Sequence, residues 1–151
     1  MSESYVNWVR ERVGHQKIFL VTSSIVLRDA SDRILLQHRT DFDVWGLPGG
    51  VMEIDEDIQA CARRELVEET GLEMGPVELV GIYTHPQFDV TYPNGDIVQQ
   101  YTVCLTGRLS GGAMTPDGLE TSEQGFFTVD EMADLTMPHW YWAMIRDAVR
   151  G

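Results

Sequence analysis

The stretch Gly46-Leu47-Pro48-Gly49-Gly50 runs through Val51 to Asp57. It continues as Ile58-Gln59-Ala60-Cys61-Ala62-Arg63-Arg64-Glu65-Leu66-Val67-Glu68-Glu69-Thr70-Gly71-Leu72. No Gly or Pro interrupts Asp57 to Thr70, and Gly71 supplies a stop, so this part is predicted to be a helix. At about 100° per residue, Ile58, Ala62 and Leu66 share one apolar face with Cys61, and Glu65, Glu68 and Glu69 fall on that same face. The bland alternative is a solvated acidic face, which would expose Ile58, Ala62 and Leu66 as well. Unpaired carboxylates are costly to bury, and like charges this close raise one another's pKa unless a cation compensates them. A hard divalent cation such as Mg²⁺ removes the conflict, because it takes carboxylate and carbonyl oxygens. Spacings of i, i+3 and i+4 set such oxygens side by side. Gly49-Gly50 lets backbone approach a ligand or metal without a Cβ in between, although a tight strand-to-helix connection would use the same pair.

Outward from this segment, Ile18 to Arg28 is rich in β-branched residues, Asp29 to Asp32 turns the chain, and Ile34 to His38 returns it, which reads as a hairpin. Residues 4–13 carry apolar side chains at helical spacing and stop at Gly14, a short amphipathic helix. Glu78 to His85 and Val98 to Leu109 are strand candidates. Tyr92-Pro93-Asn94-Gly95-Asp96 turns between Phe88–Thr91 and the later strand. Phe126 to Val129 reads as a short strand, Asp130 as the cap of a short helix through Leu135, and Pro138 as the start of a last helix to about Val149. Strands and helices mix without regular alternation, which predicts an α/β (α+β) chain with a mixed sheet rather than a doubly wound parallel one. No repeat or linker divides residues 1–151, so a single domain is expected.

Asp plus Glu number 24 against 11 Lys plus Arg, a net charge of −13. Such a surface repels a phosphate backbone, so polymeric nucleic acid is a poor partner, whereas small polyphosphates remain accessible through a bound cation. Cys61 and Cys104 are too few for a stapled secreted scaffold. The start has no basic and apolar leader and no stretch has membrane-spanning length, so the expected compartment is the cytoplasm, with no membrane partner.

Gly50, Glu56, Arg64, Glu65, Leu66, Glu68, Glu69, Gly71 and Leu72 match the Nudix box position by position, over residues 50–72. The chain therefore resembles the Nudix hydrolase family, and the likeness extends from about Ile18 to Leu135. The resemblance implies a Nudix-type α/β/α sandwich with a mixed, curled sheet, in which the box forms a loop-helix-loop that holds metal against a diphosphate. It implies that Glu65, Glu68 and Glu69 are metal ligands or the base, that a Gly49 or Gly50 carbonyl lends an oxygen, and that Glu56 is ion-paired or near a metal. It implies as well that Arg64 orients the acids by ion pairing. The implied cofactor is Mg²⁺, with Mn²⁺ as substitute, the implied partner a small nucleotide, and a homodimer a frequent assembly. The implied reaction is attack of water on a phosphorus, with the cation neutralising phosphate oxygens and a carboxylate taking the proton.

Substrate choice is less legible. Glu120 or Glu123 could supply a further acid from the Thr115–Glu123 stretch, and a solvated acidic loop explains them equally well. Arg39, Phe42 and Trp45 precede the box and could meet a phosphate or stack on a base, with core packing as the alternative for the aromatics. The Tyr92–Asp96 turn and the lead-in from Tyr5 to Ile18 look like a bacterial ADP-ribose pyrophosphatase-like or MutT-like group. ADP-ribose or a nucleotide sugar is therefore favoured. A house-cleaning nucleoside triphosphate pyrophosphohydrolase is the alternative within enzymes, and a non-catalytic Nudix nucleotide-binding or regulatory module is the alternative outside them. His38, His85 and His139 show no zinc-like pairing, and Cys61 reads as a small core residue.

Overall fold

The computed structural model describes residues 4–115 and 121–151, with backbone alone at 121 and 122. In chain order the elements are α1 (Tyr5–Val13), β1 (Ile18–Arg28), β2 (Ile34–Arg39), β3 (Val44–Gly46), β4 (Gly49–Val51) and α2 (Ile58–Thr70). There follow β5 (Leu72–Met74), β6 (Glu78–Tyr83), a single 3-10 turn at Pro86–Phe88, β7 (Val90–Thr91), β8 (Ile97–Gly112), β9 (Thr121–Phe127), α3 (Val129–Met132) and α4 (His139–Arg150).

Side chains alternate across a strand, and here both faces of the sheet are covered, so the apolar runs of β1, β2 and β8 are continuous rather than alternating. Ile25, Leu27, Leu35, Val103 and Leu105 point to one face and pack with Ala62 and Leu66 of α2. Val26, Ile34, Leu36 and Cys104 point to the other and pack with Met132 of α3 and Met144 and Ile145 of α4. The result is an α/β/α sandwich. Its spine is a parallel pair, β1 against β8, in register from Ile18↔Val98 to Arg28↔Arg108. The other contacts are antiparallel: β4 lies on β1, β3 and β9 lie on β2, and β5, β6 and β7 lie on β8. The sheet is mixed, curled and unclosed. None of the described helices is long and apolar enough to cross a membrane.

The predicted hairpin exists only at its base. β1 and β2 pair at Arg28↔Ile34 and then part, because β4 takes the edge of β1 with Ser24↔Gly49 and Thr22↔Val51. The turn itself is tied by Asp29, whose carboxylate accepts from the Ser31 and Arg33 amides at 2.9 Å each. This splaying opens the space in which the site is built.

α2 begins one residue after its cap: Asp57 accepts from the Ala60 amide at 2.8 Å, and Gly71 closes the helix in the left-handed region at φ 76°. The short helix before α4 departs from expectation in its cap. Thr128, not Asp130, is the N-cap, and with Glu131 it forms a reciprocal capping box at 3.2 and 3.0 Å. Thr128→Ala is expected to lower unfolding free energy by about 1 kcal/mol, read as a lower urea midpoint at unchanged slope.

Candidate functional site

The splayed edge between β1 and β2, roofed by β4 and α2, encloses a cavity of about 730 Å³. Ser4, the N-cap of α1, and Val6 within it border the cavity. That helix is pinned there because the Glu53 carboxylate accepts from the Tyr5 amide at 3.1 Å and Arg10 donates to the Ile97 carbonyl at 3.0 Å.

The two glycines of β4 are dictated by contact. Gly49 has φ 153°, and a Cβ there would lie 2.0 Å from the Ser23 carbonyl oxygen of β1. A Cβ on Gly50 would lie 2.4 Å from Glu65 Cδ, so this backbone can approach the helix carboxylate only as glycine.

Arg64 organises the acids around the turn. It donates to Glu56 at 2.7 and 2.9 Å, to Glu65 at 2.9 Å, to Glu68 at 3.3 Å and to the Val51 carbonyl at 3.1 Å. These bonds hold the Glu56 carboxyl down at about 2, against the effect of its burial. Glu65 is 16% and Glu68 60% exposed, so the acidic face grades from the floor of the cavity out to solvent.

Among the described residues no guanidinium hydrogen-bonds Glu69, and the charge of Arg39 acts on it without a direct bond. Its carboxylate accepts from the Gly49 amide at 3.0 Å and from the Gln37 side chain, but burial, with Glu65 adding like charge, pushes it up to about 8. Among the described residues, no three His, Cys, Asp or Glu side chains converge in metal-holding geometry. Glu65 and Glu68 turn to Arg64 while Glu69 turns to Gly49, as like charges do when a guanidinium is the nearest compensation.

The residues nonetheless fit a divalent metal. Carboxylate and carbonyl oxygens form a hard donor set, the Gly50 cradle leaves the approach to Glu65 open, and Glu69 is a half-buried carboxyl whose ionisation the Gly49 amide, Gln37 and the charge of Arg39 favour without offsetting its loss of solvent. Gly50→Ala should displace Glu65 while the fold persists, because the clash is with the far end of a flexible side chain. A loss of about 10–100-fold in kcat/KM with an unchanged circular dichroism spectrum is expected.

Arg39 donates to Asp41 at 2.7 and 3.1 Å and to the Tyr141 hydroxyl at 3.2 Å. Although burial opposes its charge, Tyr141 and Asp41 keep this guanidinium firmly protonated. It lies 5.0 Å from the Phe42 ring centre, which in turn meets Tyr92 at 5.3 Å. Arg39, Asp41, Tyr92, Gln100 and Tyr141 also line the cavity.

Other candidates lie elsewhere. Trp45 does not line the cavity; it packs edge-on against Phe127 at 5.3 Å and His38 at 5.6 Å. Glu123 is exposed on β9, opposite His38, and does not line the cavity. Glu120 is outside the described residues. Cys61 is buried, its thiol pushed up to about 11 by that burial, which fits packing rather than nucleophilic chemistry.

Sequence reading passed over Gln37, Gln124, Tyr92 and Tyr141. For Gln37 a signal existed, an amide directly after the apolar run Ile34-Leu35-Leu36 in a strand candidate.

A strand, a glycine turn and an acidic helix are set against one cavity, the arrangement in which the Nudix box is expected to fold. A model of the NUDIX domain matches residues 19–148, and the chain belongs to the Nudix hydrolase family. It is 41% identical over 130 residues to a MutT-like protein of Streptomyces ambofaciens, covering 85% of this chain and 75% of that one. It is 32% identical over 98 residues to a putative 8-oxo-dGTP diphosphatase of Bacillus subtilis, covering 65% of this chain and 59% of the other. An ADP-ribose pyrophosphatase of Methanocaldococcus jannaschii is 29% identical over 114 residues, 74% of this chain and 63% of that one. The chain thus spans less than two thirds of the last two proteins. The NUDIX domain of Shewanella oneidensis NrtR, solved with ADP ribose, superposes with TM-score 0.73 at 20% identity over 98% of each chain, which shows a shared fold.

Proposed function

We propose that residues 1–151 act as one unit that hydrolyses the diphosphate bond of a small nucleoside diphosphate derivative with Mg²⁺, ADP-ribose or a nucleotide sugar foremost. The observation that carries this reading is the meeting of the box acids, the Gly49-Gly50 turn and the Arg39–Tyr141 pair in one cavity. In this reading Glu65, Glu68 and Glu69, with a Gly49 or Gly50 carbonyl, hold Mg²⁺, and one of the three carboxylates takes the proton of the attacking water. Arg64 orients Glu65 and Glu68 and neutralises Glu56. Mg²⁺, when bound, neutralises phosphate oxygens and lowers the pKa of its water. Arg39 exchanges Asp41 for a phosphate oxygen, and Tyr92, backed by Phe42 outside the cavity lining, flanks the nucleoside.

Charge favours a diphosphate. Among the described lining residues the basic ones are Arg39 and Arg64, and each already faces carboxylates, so the cavity has little positive field to offer a further phosphate. A hydroxyl-bearing sugar suits Ser4, Tyr92 and Gln100 better. The second reading, hydrolysis of nucleoside triphosphates, is supported by the 41% identity to the MutT-like protein and by the putative 8-oxo-dGTP diphosphatase.

One panel separates them: ADP-ribose, sugar nucleotides, dinucleoside polyphosphates, NADH, and normal and oxidised triphosphates, each with Mg²⁺. AMP plus ribose 5-phosphate is the expected product pair. A nucleoside monophosphate plus pyrophosphate, formed from triphosphates alone, replaces the first reading by the second. Tight binding without turnover across the panel overturns both.

A further inference from the structure

A line of side-chain amides runs from β9 through β2 to Glu69. Gln37 is 3% exposed on β2, directly opposite Gln124 of β9. Its amide is engaged on both ends: the oxygen accepts from Gln124 Nε2 at 3.4 Å, and the nitrogen donates to the Glu69 carboxylate. Gln124 Nε2 also donates to the Glu69 backbone carbonyl at 2.6 Å. That carbonyl has no partner four residues on within α2, because the helix ends at Thr70. The same two amides therefore hold both the backbone and the side chain of Glu69, and the Gly49 amide holds carboxylate Oε2.

Packing does not call for this arrangement. Ile34, Leu35 and Leu36, which precede Gln37 in this strand, supply apolar volume to the core, and a buried amide costs free energy unless its bonds are made. The donor on Gln37 is spent on an acid that faces the cavity. We propose that Gln37, braced by Gln124, is a positioning residue that aims the Glu69 carboxylate at the Gly49-Gly50 turn, so that metal affinity and turnover both depend on it. This rests on the Mg²⁺-dependent reading above. Groups that orient metal-binding carboxylates through hydrogen bonds typically matter about 10–100-fold for metal affinity or activity.

The test compares Gln37→Met and Gln124→Met with the unaltered chain. Mn²⁺ binding is followed by electron paramagnetic resonance without nucleotide, and kcat and KM are measured separately. Gln37→Met should weaken Mn²⁺ binding and lower kcat, each about 10–100-fold, with nucleotide KM little changed. Gln124→Met leaves the Gln37 donor in place and should lose less of both. A merely structural role would lower the melting temperature and leave Mn²⁺ affinity intact, so unaltered Mn²⁺ binding and kcat in Gln37→Met overturn the proposal whatever happens to stability. Should that variant not fold, Gln37→Asn, which withdraws the same amide by one methylene, is judged by the same two readouts. If the unaltered chain itself binds no Mn²⁺, the Mg²⁺-dependent reading falls, and this inference with it.

Discussion

Glu69→Gln is expected to lower kcat/KM by about 10²–10⁴-fold, the range associated with loss of a proton-transferring or charge-compensating carboxylate. The replacement is nearly isosteric, and one of its atoms can still accept from the Gly49 amide, so the 3.0 Å contact that seats the side chain can survive. What disappears is the negative charge that the proposed cation requires at the floor of the cavity. The loss should fall in kcat, and the rise in melting temperature that Mg²⁺ gives the unaltered chain should shrink in parallel, because binding to the folded state alone is what produces that rise. Glu68→Gln is the companion, at a carboxylate 60% exposed and held, among the described residues, by a 3.3 Å bond to Arg64. Unaltered rates in both variants would return the acidic face of α2 to the role of a solvated surface.

The two ends of α2 were readable because they are local. Asp57 and Gly71 announce a helix by capping chemistry that needs no tertiary partner. The placement of Glu65 and Glu69 toward the apolar face followed from helical geometry. Glu68 stands at the margin of that face, and it is the one most exposed.

The boundaries of β1 and β8 were legible from β-branched runs, but their parallel pairing was not, since the segments that meet are far apart in sequence and no turn links them. β3, β4 and β5 escaped for the opposite reason. Each is three residues long, and β4 is made of Gly49, Gly50 and Val51, whose composition reads as a turn. Those strands form because β2, β1 and β8 respectively offer them free edges. Trp45 shows the same limit: an aromatic before the box is compatible with stacking on a base, and only the positions of His38 and Phe127 assign it to packing. Gln37 and Gln124 become a pair only when β9 is laid against β2, a register that spans most of the chain.

The metal-free protein is expected to lose stability as pH rises from about 5 to 8, and Mg²⁺ should abolish that loss. Glu69 sits at about 8 in the fold against an ordinary 4.5, chiefly through burial. A carboxyl raised on folding contributes stability while protonated, in full below its unfolded value, and that contribution drains away as pH climbs to the folded value. Glu56, held at about 2 by Arg64, works the other way: its contribution is present above 4.5 and is lost as pH falls toward 2. Between them these two groups place the stability maximum of the metal-free chain near the lower end of the Glu69 window, with a slope above it of at most about 1.4 kcal/mol per pH unit. A divalent cation in the cavity needs Glu69 ionised, so binding expels its proton and gains affinity as pH rises. Melting curves at pH 5, 6, 7, 8 and 9, in EDTA and in excess Mg²⁺, should therefore diverge across that window and run parallel above it. Glu69→Gln should flatten the EDTA curve and close the gap. Two curves that stay parallel from pH 5 to 9 would mean that Glu69 does not exchange its proton for the metal, and the carboxylate would then have to be assigned to the hydrogen bonds of Gly49 and Gln37 alone.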